Sequence, residues 1–489
     1  MHNANIKQIS ASSERPLVVD LDGTLIKTDI LFETASEFVT THPFQSFKLL
    51  GWLQESKSLL KEKLAQLSRL EVAELPYNRV LVAWLHQQRE LGRRIILATA
   101  THRIIADRVA AHLKIFDEVI STDRTTNLKA GFKRDALVER FGERGFDYVG
   151  NDCPDLPVWK SANRAYLVSS SPSFIAQVKK IGNLEEVFES ERPAVKKAVF
   201  KALRPHQWVK NLLLFIPLLA AHRVGDFSSV INVLIAFLVF GLTASSVYLL
   251  NDISDVLDDR HHHRKRNRPF AAGNLSLLLG WCLWPIILAS AFGLAALLLP
   301  PAFVGVLAAY FALTMAYSLR LKQSAILDVL TLAGLYTIRI VAGAAAISVQ
   351  LSFWLISFSV FIFLSLAFIK RFSELKTARS IGHEGNIRGR GYVHQDLELV
   401  SSMGSSAGYL SVLVLALYIQ DVHTAEMYSA PQLIWLACPI LLYWISRAWL
   451  IAHRGQMHDD PIVFAIKDRV SWVVATCFLG VFVLARVLS

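Results

Sequence analysis

Cysteine is scarce and poorly placed for chemistry. Among 489 residues there are four, Cys153, Cys282, Cys438 and Cys477. None stands at a metal-binding or dithiol spacing, which excludes a cysteine-built metal centre or redox pair and leaves four reduced packing residues. An apolar leader is also missing. Met1–Arg15 is polar and Pro16–Asp20 has the pattern of one buried strand, so no signal peptide is expected and the N-terminal part should stay in the cytoplasm. Acid is in deficit: 40 Asp and Glu face 51 Lys and Arg, for a net charge of +11. No nucleic-acid partner is inferred from that excess, because its distribution along the chain follows the positive-inside rule.

Length and uneven composition require at least two domains. Roughly the first 190 residues have the mixed composition of a soluble domain. From Trp208 onward, apolar runs of about 18–22 residues alternate with short charged loops, as transmembrane helices do. About nine spans are expected, near 206–222, 229–250, 274–297, 301–318, 325–347, 352–369, 399–420, 431–448 and 471–488. With the N-terminus inside, the cytoplasmic loops are 251–273, 319–324, 370–398 and 449–470. They hold most of the Lys and Arg, and the external connections carry Arg223 and almost nothing else. These features describe a multi-pass protein of the inner, cytoplasmic membrane. In the linker, Val195, Val199 and Leu203 recur at i, i+4 and i+8 among Lys196, Lys197, Lys201 and Arg204. That is the pattern of an amphipathic helix on an anionic leaflet. The expected division is 14–185 for the soluble domain, 186–204 for the linker and 205–489 for the membrane domain.

In the soluble domain an apolar strand from Leu17 ends in Asp20-Leu21-Asp22-Gly23-Thr24. Two aspartates two residues apart on an extended segment point the same way. One can attack phosphorus while the other handles protons. A second strand, Arg94 to Thr99, ends in a hydroxyl suited to a phosphate oxygen, and Lys133 follows in Gly-Phe-Lys-Arg-Asp. A third, Tyr148–Gly150, leads into Asn151-Asp152-Cys153-Pro154-Asp155. The pattern suits a doubly wound parallel α/β sheet with ligands at the carboxyl ends of its strands. These residues, in this order, resemble the haloacid dehalogenase-like hydrolase superfamily. The resemblance implies Asp20 as nucleophile, Asp22 as general acid/base, and Thr99 and Lys133 as phosphate binders. It implies Mg²⁺ on Asp20, the Asp22 carbonyl and the acids Asp152 and Asp155, and a helical cap over residues 30–88. Asn151 departs from the pattern, standing where the first metal carboxylate belongs.

Residues 251–269 follow directly on an apolar run, Val230 to Leu250. Asn251, Asp255 and Asp259 recur every four residues and share a helix face; Asp252 lies beside them. Carboxylates at a membrane surface are costly and point to function, here Mg²⁺ bridging to phosphate. The basic cluster Arg260 to Arg268 would hold phosphate oxygens. The triple histidine His261–His263 is expected to be a solvated loop, since consecutive residues diverge on a helix.

Arg204-Pro205-His206-Gln207-Trp208-Val209-Lys210-Asn211, with Asn251-Asp252-x-x-Asp255-x-x-x-Asp259 and Arg268-Pro269, resembles the UbiA prenyltransferase superfamily, and within it the decaprenyl-phosphate phosphoribosyltransferase branch. Tyr317 to Lys322, Asp328, Lys370-Arg371-x-x-Glu374 and Asp459-Asp460-Pro461 extend the likeness. The resemblance implies an all-α polytopic bundle of nine helices around a polar cavity. It implies Mg²⁺ on Asn251, Asp252, Asp255 and Asp259, and substrate contacts from Lys210, Asn211, Arg260, Lys265, Arg268, Tyr317, Lys322, Lys370 and Arg371. Prenyl-diphosphate users carry a second Asp-x-x-x-Asp before the fifth span, whereas this chain has only Asp328 there, with Lys322 upstream.

Three classes stay open. The first is a transferase moving phosphoribose from 5-phosphoribosyl 1-diphosphate to a polyprenyl phosphate, its fused phosphatase removing the 5-phosphate. The second is a prenyltransferase moving a polyprenyl group from its diphosphate to an aromatic or lipid acceptor. The third is a non-enzymatic scaffold, against which the acid and base clusters argue. The cation surplus and the reduced second Asp motif favour the first. A homo-oligomer is compatible with the sequence, which does not specify one.

Overall fold

The computed structural model describes residues 15–123, 128, 130–189, 193–263, 265–380, 391–420, 428–457 and 460–487; Asp459 lies outside them. The chain forms two compact units, one taking Met1–Leu203 and Tyr248–Trp284, the other Arg204–Val247 and Pro285–Ser489.

In the first unit Leu17, Val18 and Val19 are all fully buried, as a parallel strand covered on both faces requires. They form β1 (Leu17–Val19). With β2 (Ile95–His102), β3 (Glu118–Thr122), β4 (Asp147–Gly150), β5 (Ala165–Val168) and β6 (Leu184–Phe188) they make one six-stranded sheet in the order β3-β2-β1-β4-β5-β6. Every pairing is parallel. Leu17, Val19, Ile95 and Leu97 pack with Leu81, Leu85, Ile105 and Val109 on one face. Val18, Ile96 and Ala98 pack with Leu137, Val158 and Trp159 on the other, so the strand period of two sorts the core into two layers. Strand order reverses between β1 and β4, which puts the topological switch point beside Asp20.

Between β1 and β2 stand α1 (Ile30–Thr41), α2 (Lys48–Glu55) and α3 (Lys57–Leu67), the expected helical cap, and α4 (Arg79–Glu90) returns to the sheet. Asp29 and Ser56 start α1 and α3, their side-chain oxygens accepting from the Leu31 and Leu59 N–H groups at 2.8 and 3.0 Å. The remaining crossovers use α5 (Arg103–Leu113), α6 (Gly131–Phe141), α7 (Leu156–Ser161) and α8 (Pro172–Lys179). In α9 (Val195–Leu203) the buried residues are Ala198 and Ala202, while Val195 is exposed. The packed side of this helix is therefore built from small residues and not from the Val195–Val199–Leu203 stripe.

Beyond α9 the described residues are mainly helical: a 3-10 helix Pro205–Phe215, then α10 (Ile216–Ala220), α11 (Phe227–Ser254), α12 (Val256–His261), α13 (Leu277–Leu298), α14 (Pro301–Leu319), α15 (Leu327–Ala346), α16 (Phe353–Ser380), α17 (Leu397–Ile419), α18 (Ala437–His453), α19 (Pro461–Lys467) and α20 (Arg469–Val487). Eight of them, α11, α13 to α18 and α20, are long and apolar enough to cross a bilayer, and the chain is a multi-pass membrane protein. The ninth expected span, 206–222, differs: it is a 3-10 helix running into the five-residue α10. This stretch packs closely against α15. A Cβ on Gly343 of α15 would come within 2.1 Å of the Leu214 carbonyl oxygen. At about 2.0 Å per 3-10 residue and 1.5 Å per α residue the pair still extends roughly 30 Å. The core of the second unit gathers Tyr336, Phe363, Phe372, Ile445 and Trp449, and the Trp449 indole donates to the Ser365 hydroxyl at 3.1 Å.

Candidate functional site

The carboxyl ends of β1, β2 and β4 bring together a first set of residues. Asp20 Oδ1 accepts from Lys133 Nζ at 2.7 Å. Lys133 also donates to the Tyr148 hydroxyl at 3.1 Å, and Tyr148 donates to Asp155 Oδ1 at 2.7 Å. Asp22 accepts from the Ile30 N–H at 2.8 Å through Oδ1 and from the Thr101 hydroxyl at 2.7 Å through Oδ2. Burial pushes the Asp22 carboxyl up to about 6, with Asp29 adding to the rise, which suits a group that gives and takes protons. Gly23 (φ +74°) lies so close to Asn151 that a Cβ would sit 2.5 Å from its amide nitrogen; Asn151 Oδ1 accepts from the Thr24 hydroxyl at 3.0 Å. A cavity of about 660 Å³ opens on Asp20, Asp22, Thr101 and Lys133.

Two assignments change here. Thr99 does not line the cavity. It is fully buried, and its hydroxyl accepts from the Thr101 N–H at 3.0 Å. β2 runs on to His102 instead of ending at Thr99, so Thr101 is the hydroxyl at the strand's end. Asp155 is not free to hold a metal. Besides Tyr148, it accepts from the Asn151 and Asp152 N–H groups at 2.9 and 3.2 Å. Asp152 caps Cys153 at 2.7 Å and stays exposed. Among the described residues no group of three or more His, Cys, Asp and Glu is gathered into a metal cage. The oxygens of Asp20, Asp22 and Asn151 fit Mg²⁺ in type.

The second set lies where α11 passes into α12. The backbone keeps its helical repeat through the junction, Asp255 N–H donating to Asn251 at 2.9 Å and Asp259 N–H to Asp255 at 2.8 Å. Asp252 and Asp259 are buried. Both are ion-paired with one nitrogen, Arg268 Nη1, at 3.1 and 2.7 Å, and Asp259 accepts a hydrogen bond from it. Lys265 stands 4.0 Å from Asp259 Oδ1, a buried oxygen with no hydrogen-bond partner among the described residues. Burial pushes the Asp259 carboxyl up to about 6 against the pull of Arg268. Two buried carboxylates sharing one cation, with an oxygen to spare, fit a hard divalent ion. Lys265 and Arg268, expected on phosphate, are on these carboxylates. Arg260 faces elsewhere: its guanidinium grips Glu33 of α1 at 2.6 and 3.2 Å and donates to the Ala271 carbonyl at 3.1 Å. It is therefore not a free phosphate ligand, and nothing in the sequence near Glu33 signalled the pairing.

The third set is in the membrane unit. Lys210 and Lys370 both donate to Asp460 Oδ2, at 2.9 and 3.1 Å, and the Tyr336 hydroxyl reaches the same carboxylate at 3.2 Å. Burial alone would raise the Asp460 carboxyl, but Lys370 and Lys210 hold it well below the usual range. Asn211 accepts from Arg339 Nε at 3.1 Å. Tyr317 donates to Asp328 Oδ1 at 2.9 Å and accepts from Arg371 at 3.0 Å. Arg371 is ion-paired with Asp328 and Glu374. Lys322 is half-buried on the 3-10 helix Leu321–Gln323. Arg339, a lone arginine in an apolar span, carries a signal in the sequence of its own.

The sequence pattern described as the UbiA prenyltransferase family matches residues 212–473. Uncharacterized protein y4nM of Sinorhizobium fredii is 37% identical over 96% of this chain and 91% of its own length. Nodulation protein NoeC of Azorhizobium caulinodans is 39% identical, covering 57% of this chain and 89% of itself. A decaprenyl-phosphate phosphoribosyltransferase of Mycolicibacterium smegmatis is 31% identical, covering 58% of this chain and 90% of itself.

Proposed function

Because the chain belongs to the UbiA prenyltransferase family, we propose that it is a membrane transferase moving phosphoribose from 5-phosphoribosyl 1-diphosphate to a polyprenyl phosphate. One observation carries the choice of donor. Asp328, the carboxylate nearest to a second metal motif, is engaged by Arg371 and Tyr317, while Lys210 and Lys370 crowd a single acid. Such a site is richer in phosphate-binding cations than in metal-binding carboxylates. The name of the Mycolicibacterium relative supports the same acceptor and group.

Asn251, Asp252, Asp255 and Asp259 are the residues that would hold Mg²⁺, which when bound neutralises diphosphate oxygens. Lys265 and Arg268 lie beside them to steady the departing pyrophosphate. An oxygen of the lipid phosphate forms the new bond to C1 of the ribose as the bond from C1 to the diphosphate breaks. The acceptor is already an anion, so no general base is needed and positioning supplies most of the effect. In the N-terminal unit Asp20 attacks the phosphorus of a phosphomonoester while Asp22 gives the leaving hydroxyl its proton; water, its proton taken by Asp22, then breaks the bond from Asp20 to phosphorus and releases phosphate, and Lys133 steadies the charge. Its substrate is the 5-phosphate of the lipid-linked product, on the cytoplasmic side of the inner membrane.

Full-length protein with Mg²⁺, labelled donor and a polyprenyl phosphate tests this. The expected products are lipid-linked ribose and pyrophosphate, and Asp255→Asn or Asp259→Asn should remove most of both at limiting Mg²⁺. Asp20→Asn should leave transfer intact and yield the 5-phosphorylated lipid, one phosphate heavier by mass spectrometry. A wild type that ignores this donor but prenylates a phenolic acid from a prenyl diphosphate would overturn the reading.

A further inference from the structure

The cap helix α2 is apolar on both sides. Its inner side, Leu49 and Trp52, packs on Phe38, Leu60 and Leu64. Its outer side continues a stripe that begins in the preceding 3-10 helix, Pro43–Gln45. Phe44, Phe47, Leu50 and Leu53 recur every three residues and are 94%, 68%, 66% and 45% exposed. That spacing keeps neighbours on one helix face. A helix apolar all round belongs in a core or a membrane, and large apolar side chains grouped in the open mark a contact surface. None of the four stands in a hydrolase or transferase motif.

The surroundings of the stripe name its partner. The same compact unit includes Tyr248–Trp284, and with it the first turns of the span α13. The cap meets that span directly: the Trp281 indole, one turn into α13, donates to the Ser36 hydroxyl of α1 at 3.1 Å. α1 in turn touches α2 through Phe38 and Trp52, whose ring centroids are 5.4 Å apart. A Cβ on Gly273 (φ +69°) would meet Lys27 Cβ at 2.8 Å and Pro76 Cγ at 3.0 Å, so the turn before α13 is pressed against the hydrolase. Leu53, the last residue of the stripe, and Leu277, the first of α13, line the same cavity, the one that opens on Asp20. The stripe therefore runs up to the place where the chain enters the bilayer. Exposed Lys48 and Lys57 flank it, as suits an anionic leaflet.

We propose that Phe44, Phe47 and Leu50 insert into the adjoining leaflet and hold the mouth of the Asp20 cavity on the membrane surface. An interfacial apolar face sinks about 5–10 Å, which leaves the flanking lysines among the headgroups. Weak intrinsic affinity is enough, because α13 already tethers the cap to the bilayer and raises its effective concentration there. With Leu53, Leu275 and Leu277 on its wall, the cavity then takes phosphomonoesters anchored in the leaflet in preference to soluble ones. That consequence for substrate rests on the reading of this unit as a phosphatase; the membrane contact does not.

Full-length protein in vesicles, its four native cysteines replaced by alanine, tests the contact. A fluorophore on Phe47→Cys or Leu50→Cys should be quenched by nitroxide-bearing lipid about threefold or more above one on Lys179→Cys. Lys179 is exposed on α8, which packs on the opposite sheet face from Leu257 of α12. Equal, weak quenching at all three positions would sink the proposal. So would shielding that follows protein density and not nitroxide lipid, which assigns the stripe to a second copy. Kinetics test the consequence, with octadecyl riboside 5-phosphate in vesicles against ribose 5-phosphate in solution. The double variant Phe47→Gln with Leu50→Gln should lose about tenfold or more in kcat/KM on the anchored probe, mostly through KM, and stay within about twofold on the soluble one. An equal loss on both, or none on either, would count against it. If the labels are quenched but neither probe releases phosphate, the membrane contact stands and the phosphatase reading falls. If Asp20-dependent release persists while the labels stay unquenched, the phosphatase stands and the contact falls.

Discussion

Arg260 and Glu33 meet as a fork on a carboxylate, at 2.6 and 3.2 Å, with side chains 3% and 2% exposed. Arg260 directly follows Asp259, so the pair ties the acidic helix α12 to the cap helix α1 inside the first unit. The Trp281 indole, donating to the Ser36 hydroxyl of α1 at 3.1 Å, adds a second tie.

Removing one partner of a buried pair leaves the other charge uncompensated, at a cost of roughly 3–5 kcal/mol. Glu33→Gln should therefore lower the melting temperature of the purified protein clearly, although Glu33 lies in the cap sequence and not in any transferase motif. The double variant Glu33→Leu with Arg260→Met should recover most of the loss, because an apolar pair of similar size carries no stranded charge. A single variant as stable as wild type would show that the pair does not hold α12.

Thr101 and Thr99 separate by substitution. Thr101→Val removes the hydroxyl that donates to Asp22 Oδ2 at 2.7 Å and should lower the phosphatase rate by about tenfold or more. Thr99→Val removes an internal support for the Thr101 N–H. It should act mainly on stability, by about 1 kcal/mol. Steady-state phosphate release and thermal melting on both variants check this, and the opposite ranking of rates would restore Thr99 as the phosphate ligand.

Much of this architecture was legible in the sequence because it rests on local patterns. Leu17-Val18-Val19 followed by Asp20 needs only strand periodicity to place a carboxylate at a strand end. Asn251, Asp255 and Asp259 need only helical periodicity to align. What stayed hidden depends on partners far away in the chain. Arg260 looked like a phosphate ligand because the sequence cannot show Glu33 227 residues away. The expected strand stops at Thr99, short of Thr101, because the continuation of β2 is fixed by its parallel pairing to β3, out to His102 and Thr122. The stretch 206–222 looked like an α-helix because apolar length does not encode the approach of Leu214 to Gly343.

Asp468 supplies a pH signature. Arg447 donates to it through two nitrogens, at 2.6 and 3.0 Å, and Ser471 adds its N–H and hydroxyl at 2.8 and 2.7 Å. Those hydrogen bonds, Arg447 first, lower the Asp468 carboxyl to about 2. A carboxyl lowered in the folded state stabilises fully above its unfolded value, near 3.9, and that contribution fades as pH falls toward about 2. Wild type should therefore lose melting temperature between about pH 4 and pH 2 more steeply than Asp468→Asn, whose amide does not titrate. Parallel curves for the two proteins would remove Asp468 from the acid transition.

Asp328 and Asp259 should answer differently to magnesium. Asp328 accepts from Tyr317 at 2.9 Å and from Arg371 at 3.2 Å through Oδ1, and pairs with Arg371 again through Oδ2. Its work is to balance a guanidinium that is only 1% exposed. Asp259 keeps a buried oxygen without a hydrogen-bond partner among the described residues, as a residue awaiting a cation would. Asp259→Asn should therefore shift the Mg²⁺ concentration for half-maximal transfer upward by about tenfold or more. Asp328→Asn should leave that concentration where it is and instead lower stability, because it strands part of the Arg371 charge. Titrating Mg²⁺ against initial transfer rate in both variants, with melting curves alongside, separates a metal ligand from a counter-ion. A raised Mg²⁺ requirement in Asp328→Asn would place a metal at Asp328 and return the site to the two-cluster pattern of prenyl-diphosphate chemistry.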